Sequence, residues 1–373
     1  GLIVVTGSAG KSTTTKMLVA IARAHGKTVF TNPSTANISQ GFFSAIIERS
    51  NLLGKIAGDV AILEMDEGHA AEITKRVSPR QSTILNVLED QLDRFVDPSI
   101  VRDKLGLVAK RTNGPVLLNA DDQNTILIGA GLPNNANVSW FGITEKLLKA
   151  SKHALGAAPT YLPELDRPPV AAEILDVSGT SARVLVEGLE SQFTLPNRGL
   201  HYALDSVAAL ISAKTYLAEA FNLDLAASVL SDLPPVFARG EIARVGDEDV
   251  EFILVQNPMS FQLNLDNLST DPEQIMVAIG TDVHDPSWLW TVDMSNLKHV
   301  DMVSGFNFAE IALRLTYAGI PIAEVEGDLE TALERFFALP VPSRGLKTVI
   351  FSADAMRRTR RILGFTDPEA VER

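Results

Sequence analysis

The first thirteen residues, Gly1-Leu-Ile-Val-Val-Thr-Gly-Ser-Ala-Gly-Lys-Ser-Thr13, constrain this chain more than any other stretch. An apolar run at 2–5 reads as a central parallel strand that passes straight into a glycine-containing turn. Gly7 and Gly10 let the backbone turn tightly and approach an anion. Lys11 can reach the β- and γ-phosphates of a nucleotide, and the Ser12 hydroxyl can bind Mg²⁺. The longer form of this loop has a glycine five positions before the one preceding Lys. Val5 stands there, so the motif is the shortened G-x-x-G-K-S. An amphipathic helix over 12–25 follows and stops at Gly26. In that setting the hexapeptide predicts phosphate binding by Thr6, Gly7, Ser8, Ala9, Gly10, Lys11, Ser12 and Thr13, rather than an ordinary βα turn.

With 373 residues and 46% hydrophobic content the chain has material for two or three cores. No stretch reaches the roughly 18 consecutive apolar residues of a membrane helix, and no signal peptide is visible. The absence of cysteine excludes disulfides, Cys-ligated zinc, iron–sulfur clusters and thiol catalysis, and fits a cytosolic protein. A net charge of −13 with no basic stripe argues against a nucleic-acid partner. Only Arg357, Arg358, Arg360 and Arg361 make a helix locally basic, which reads as a solvated face. Gly1 is not an initiator Met and begins inside a strand, so residues upstream are expected.

The first part alternates strands (2–5, 28–30, 60–64, 82–86, 116–119) with helices (12–25, 41–50, 69–77, 100–109). That order predicts an α/β fold: a parallel sheet with helices on both faces and ligands at the carboxyl ends of the strands. An insert over about 136–197 carries short alternating pieces (172–175, 182–186, 191–195) that suggest a small antiparallel sheet, preceded by a loop over 150–169. A long helix over 204–220 follows. Leu233-Pro-Pro235 then reads as a hinge dividing a domain over 1–232 from a smaller α/β domain over 233–373. Strands in the second are expected at 251–255, 275–279, 299–303 and 348–351, and helices at 308–318, 328–337 and 355–363.

Glu64, in Glu64-Met-Asp-Glu67, ends a buried strand and is the candidate Mg²⁺ ligand beside Ser12, while Asp66 and Glu67 suit a helix cap. Asn86 and the acidic turn 89–93 can face metal or substrate. Asn119, in Leu118-Asn-Ala-Asp-Asp122, suits nucleotide or structural hydrogen bonds. Arg239, just past the hinge, can supply positive charge to a transferring phosphoryl group; its plain alternative is a surface pair with Glu241. His69 and His201 lie near the site but read as structural. Trp288 and Trp290 form a cluster that is either core or an anchor presenting Asp285 or Asp293.

Taken in order, these features resemble the Mur ligase superfamily of ATP-dependent amide-forming enzymes. The series runs through the short phosphate loop with Thr13-Thr14, Glu64, Asp90-x-Leu-Asp93, Leu118–Asp122, Gly199-Leu-His201 with Ala208-Ala209, Arg239-Gly-Glu241 and Asn257-Pro258. Within it the chain is similar to the MurT family, the synthetase subunits of lipid II isoglutaminyl synthase. That likeness rests on Glu64–Glu67, Asp90–Phe95, Ala36-Asn37 with Gly41, 255–258, 285–290, and Ser304-Gly305 leading to 314–319. The resemblance implies a Mur ligase-like central ATPase domain and a carboxy-terminal domain that docks a partner. It implies ATP and Mg²⁺ as cofactors. It also implies phosphorylation of the D-glutamate α-carboxylate of lipid II, then attack by ammonia from a GatD-like glutaminase in a heterodimer, working in the cytoplasm at the inner membrane face. Asp285, or Asp293 as second choice, would complete the partner's Cys–His pair. His201, Asp205, Asn119 and Asn257 fall at nucleotide-contacting positions of the family.

The chain departs from the family pattern in several places. Ser8-Ala9 replace Thr-Asn, Thr35 a Gly, and Ala238 a Gly. Tyr202 and Asp205 replace two Asn, Gln256 a Lys, and Ala353-Asp354 a Tyr-Thr pair. The zinc-ribbon cysteines that many members carry are absent from about 145–170, so no structural zinc is expected. The alternatives are an amino-acid-adding Mur or folylpolyglutamate-type ligase, and a catalytically silent ATP-binding scaffold.

Overall fold

In the computed structural model the described residues are 1–32, 50, 56, 58–88, 97–151, 155–234, 239–268 and 272–365. They form two compact units, 1–234 and 235–373. Elements below are numbered among the described residues.

Unit one is built on a nine-stranded sheet of order β2-β3-β1-β4-β5-β6-β7-β8-β9. Its first six strands are β1 (Leu2–Thr6), β2 (Val29–Phe30), β3 (Val60–Glu64), β4 (Gln81–Ile84), β5 (Val116–Asn119) and β6 (Val138–Ile143). All run parallel. Ile3, Val4 and Val5 are fully buried, as expected of a strand covered by helices on both faces. The helices are α1 (Lys11–Ala24), α2 (Glu67–Ile73), α3 (Pro98–Lys110), α4 (Gln123–Ala130), α5 (Glu145–Ala150), α6 (Leu200–Leu217) and α7 (Leu223–Asp232). A 3₁₀ turn, Ala218–Ala220, ends α6, which shares one core with α1 through Ala208, Ala209, Leu210 and Leu18. The expected helix over 41–50 lies outside the described residues.

The insert is not a separate sheet. β7 (Ala172–Ser178) pairs parallel with β6, and β8 (Ser181–Val186) and β9 (Leu189–Thr194) extend the same sheet antiparallel. Ala172, Ile174, Ala182, Val184 and Val186 face the α1/α6 core. Strand alternation was legible; attachment to β6 depends on a backbone pairing that sequence period does not report.

Unit two has a six-stranded sheet, β10-β11-β15-β12-β13-β14. Its strands are β10 (Arg239–Val245), β11 (Glu248–Leu254), β12 (Gln274–Ala278), β13 (Val300–Ser304), β14 (Ile322–Val325) and β15 (Lys347–Phe351). Its helices are α8 (Pro258–Asp266), α9 (Phe308–Tyr317), α10 (Leu329–Ala338) and α11 (Ala353–Ile362). Only the edge strand β10 is antiparallel. Lys347, fully buried, donates to Glu248 Oε1 at 2.9 Å and to the Leu339 carbonyl at 2.8 Å.

In unit one the chain leaves β1 for β2 and β3 on one side and then for β4 and β5 on the other. The order therefore reverses at β1, and ligands of doubly wound sheets bind at that switch point.

Candidate active site

Register places the site. Val5 pairs with Glu64, and Thr6 with Ile84, so the ends of β3, β1 and β4 come level with the loop 7–10 at their centre. Gly7 and Gly10 hold φ of +138° and +83°, conformations that side chains resist. A Cβ on Gly10 would stand 2.1 Å from Asp205 Oδ1, so neighbouring structure also requires glycine there. Helix α1 then begins at Lys11 with no side chain capping its first turn. Its open N–H groups and positive dipole end suit an anion. Thr6 and Thr13 are fully buried, and their hydroxyls bond to no described atom. The uncapped helix start and the glycine cradle fit a nucleotide phosphate.

Lys11 Nζ donates to the Gly7 carbonyl at 2.5 Å and the Ser8 carbonyl at 3.0 Å, folded over its own loop. The Ser12 hydroxyl donates to Glu64 Oε1 at 2.9 Å. Expected from motif and strand end, this pair brings a hydroxyl and a carboxylate to one point, the donor set of a hard cation such as Mg²⁺. Among the described residues no three His, Asp or Glu side chains converge on a metal position. A cation here would therefore complete its shell with phosphate oxygens and water. Glu64 is 4% exposed, and Asn32 brackets its backbone: Glu64 N–H donates to Asn32 Oδ1, and Asn32 Nδ2 donates to the Glu64 carbonyl, both at 3.0 Å. Sequence reasoning missed Asn32, because an Asn two residues past a short strand carries no motif.

Asn86 proves to be a clamp on the loop. Its Oδ1 accepts from Ala9 N–H at 2.8 Å, its Nδ2 donates to the Ala9 carbonyl at 3.2 Å, and its own carbonyl accepts from Ser8 N–H at 3.1 Å. Leu88 N–H donates to the Ser8 hydroxyl at 3.1 Å. Residues 86–88 thus form a shelf under the loop. From the other side Asp122 supports that shelf, accepting from Val87 N–H at 2.6 Å through Oδ2 and capping α4 through Oδ1, from Asn124 N–H at 2.8 Å. Burial pushes the Asp122 carboxyl up to about 6 despite these donors. Asn119 donates to the Leu85 carbonyl at 3.0 Å and accepts from Asp121 N–H at 2.9 Å, which is the structural one of its two readings. Asp121 is held by Arg167 at 2.7 Å and its carboxyl is raised by burial.

Asp66 caps α2 through Gly68 N–H at 3.1 Å and faces His69 Nδ1 at 3.4 Å. Asp205, 5% exposed in α6, lies against Gly10, so its carboxylate meets the phosphate loop itself. His201 stacks at a tilt on Tyr202, 4.1 Å between ring centres. The acidic turn 89–93, and Ala36-Asn37 with Gly41, lie outside the described residues.

In unit two Arg239 opens β10, and its side chain lies outside the described part. The pairing expected between Arg239 and Glu241 meets a competitor: Arg360 donates to Glu241 Oε2 at 2.9 Å. Arg360 is buried, so it leaves the solvated face expected of that helix, where Arg357, Arg358 and Arg361 remain exposed. Asn257 is the N-cap of α8, in a reciprocal capping box with Ser260, which occupies its side chain structurally. Asp285 caps the 3₁₀ turn Pro286–Thr291, and hydrogen bonds from Ser287 hold its exposed carboxyl below the usual range. Asp293 Oδ1 accepts from Ser295 N–H at 2.9 Å. The tryptophans divide their two readings: Trp288 packs edge-on against the buried Phe261, while Trp290 is 46% exposed beside Tyr317 and under Arg314.

Comparison with known proteins adds to this geometry. The family model described as the Mur ligase middle domain matches residues 5–213, and that described as MurT ligase C-terminal matches residues 254–348. The subunit MurT of lipid II isoglutaminyl synthase (glutamine-hydrolyzing) from Streptococcus pneumoniae is 24% identical, over 87% of this chain and 78% of the relative. A pseudomurein peptide ligase type C from Methanothermus fervidus superposes with a TM-score of 0.73 at 16% identity, covering 97% of this chain and 78% of that one. MurF ligase from Thermotoga maritima, solved in complex with ADP, gives 0.69 at 18% identity over the same shares, 97% and 78%. At those identities the structures speak for the fold alone. The family matches, the phosphate loop and the Ser12–Glu64 pair agree: the chain belongs to the Mur ligase family of ATP-dependent ligases, in its MurT branch.

Proposed function

We propose that this chain is the synthetase subunit that amidates the D-glutamate α-carboxylate of lipid II. The observation that carries the reading is that one chain joins a Mur ligase phosphate loop to a carboxy-terminal domain of MurT type. A carboxylate is a poor electrophile. Its oxygen attacks the γ-phosphorus of ATP, ADP leaves, and the resulting acyl phosphate carries a good leaving group. Ammonia then attacks the acyl carbon, phosphate departs, and the nitrogen loses a proton to leave the amide. No protein nucleophile is needed.

Lys11 leaves the Gly7 and Ser8 carbonyls to meet the phosphates, with the α1 N–H groups beside it. Ser12 and Glu64 would hold Mg²⁺, which would neutralise charge on the transferring phosphoryl group. The family likeness assigns Arg239 a second neutralising role, and gives Thr6, Ala9, Thr13, His201, Asp205, Asn119 and Asn257 to the nucleotide. The hydrogen bonds described above favour support of the loop and of helix starts for Asn119 and Asn257.

A glutaminase subunit supplies the ammonia and docks on unit two. The surface that suits it pairs exposed Trp290 with Tyr317, 5.3 Å apart and 74% exposed, and with Leu313 one turn earlier on α9. A cluster with two aromatic rings is the composition of an interface anchor. Asp285 lies on the same 3₁₀ turn as Trp290, ionised and exposed, where it can orient a partner's histidine.

Mass analysis of lipid II after incubation with the chain, ATP, Mg²⁺ and ammonium tests the reading. Replacement of one hydroxyl by an amino group, lost in Lys11→Met, is expected. Gain of a whole amino-acid residue would place the chain with the amino-acid-adding ligases, and absence of ATP turnover even with a glutaminase would leave a silent scaffold.

A further inference from the structure

Between α4, the start of β6 and the segment 165–168 lies a cavity of about 400 Å³ that no step of the phosphoryl transfer uses. Its size is that of a small-ligand site. In the sheet, β6 stands three strands from β1, so the cavity is separated from the phosphate loop by about 14 Å of hydrogen-bonded backbone. Trp140 lines it together with Ile126 and Leu132. Gly129, in the last turn of α4, makes room for the ring: a Cβ there would stand 2.6 Å from Trp140 Cη2 and 3.0 Å from Leu118 Cδ1.

The segment that closes this cavity has no regular structure, yet it is fixed at two points. Gln123 holds Leu165 twice, donating through Nε2 to its carbonyl at 2.9 Å and accepting through Oε1 from its N–H at 3.0 Å. Arg167 donates to Asp121 Oδ1 at 2.7 Å, to the Ile143 carbonyl at 2.9 Å and to Glu173 Oε1 at 3.2 Å. Between these anchors Asp166 lines the cavity, exposed, and among the described residues it takes part in no hydrogen bond or ion pair. The neighbouring guanidinium does not neutralise it, because Asp121 and Glu173 already share that charge.

An apolar cavity with an indole in its wall and one unpaired carboxylate selects for a ligand with an apolar stem and a positive end. The face of an indole attracts a cation, and the carboxylate adds a charge pair. An anion is repelled by both groups, and a neutral stem leaves both unused. We propose that this cavity binds a primary ammonium carried on an apolar stem, the chemistry shared by a free alkylamine and a lysine side chain. None of these residues handles the nucleotide, so the proposal stands apart from the lipid II assignment.

Fluorine NMR of the full chain labelled with 5-fluorotryptophan tests it. The three tryptophans give three signals, and the one missing from Trp140→Phe belongs to Trp140. Hexylamine and Nα-acetyl-lysine N-methylamide are titrated at neutral pH and low salt, with 1-hexanol and hexanoate as the neutral and anionic matches. A saturable shift of the Trp140 signal with either amine is expected, and the amine that produces it identifies the source. Hexanol and hexanoate should bind about tenfold more weakly or less, having lost both the cation–π contact and the charge pair. Asp166→Asn, a change at an exposed and unpaired residue, should weaken the amine about three- to fivefold, the value of an exposed charge pair. The proposal is overturned by the lack of a saturable shift with both amines, by equal affinity for hexanol, or by unchanged amine affinity in Asp166→Asn. Shifts of the Trp288 and Trp290 signals as large as that of Trp140 overturn it too, since the amine would then have no preferred site.

Discussion

Replacing Asn86 by Ala isolates the contribution of the shelf under the phosphate loop. The substitution removes two hydrogen bonds, one from Ala9 N–H at 2.8 Å and one to the Ala9 carbonyl at 3.2 Å, and touches neither Lys11 nor Ser12. At a net value of about 1 kcal/mol for each, the ordered loop loses about 2 kcal/mol relative to disordered alternatives. The backbone bond from Ser8 N–H to the residue-86 carbonyl survives, so the strand end stays in register. Nucleotide selects the ordered loop, and its apparent affinity falls with that population, by up to about 30-fold. Titration with a fluorescent ADP analogue measures the change, with the melting temperature of the free chain as a folding check. An affinity within threefold of the parent would falsify the view that Asn86 organises the loop, since the two bonds would then be replaceable by water.

Three further outcomes follow from buried charge and close approach. Asp122 has a folded-state value near 6 against an ordinary 3.8 because burial disfavours its charged form. Its contribution to stability is complete below about pH 4 and is lost as pH rises through about 6. Denaturant unfolding of the parent should lose about 3 kcal/mol relative to Asp122→Asn across that window, and a constant difference would reject it. Lys347→Met leaves Glu248 without its cation and should destabilise unit two by about 3 kcal/mol. The further change Glu248→Leu should recover most of that in urea unfolding. Gly10→Ala places a Cβ against Asp205 Oδ1 at a φ of +83°, and should abolish nucleotide binding in direct titration. Retention of binding would mean that α6 moves away freely.

Much of the site was legible because phosphate handling leaves local marks. Gly7, Gly10, Lys11 and Ser12 sit within six residues, and Glu64 ends a run whose burial shows in its composition. The supporting residues left no such mark. Asn86 looked like a ligand candidate because it follows a strand, yet its amide faces Ala9, a residue 77 positions away. Asn257 and Asp285 carried functional expectations from the resemblance, and both cap helical turns. Glu67, expected as a cap, instead faces Lys11.

Local physics in the sequence determined the αβ alternation, the phosphate loop and the strand that feeds it. Those features depend on side-chain period, glycine conformation and residues close in the chain. Tertiary structure alone decided that β7–β9 continue the main sheet, that residues 86–88 carry the loop, that Arg360 takes Glu241, and which carboxylate meets Lys11. Each of these is a pairing across tens of residues, selected by which backbone edges and buried charges the packed sheet leaves to be satisfied. A chain read residue by residue carries the groups but not the distances between them.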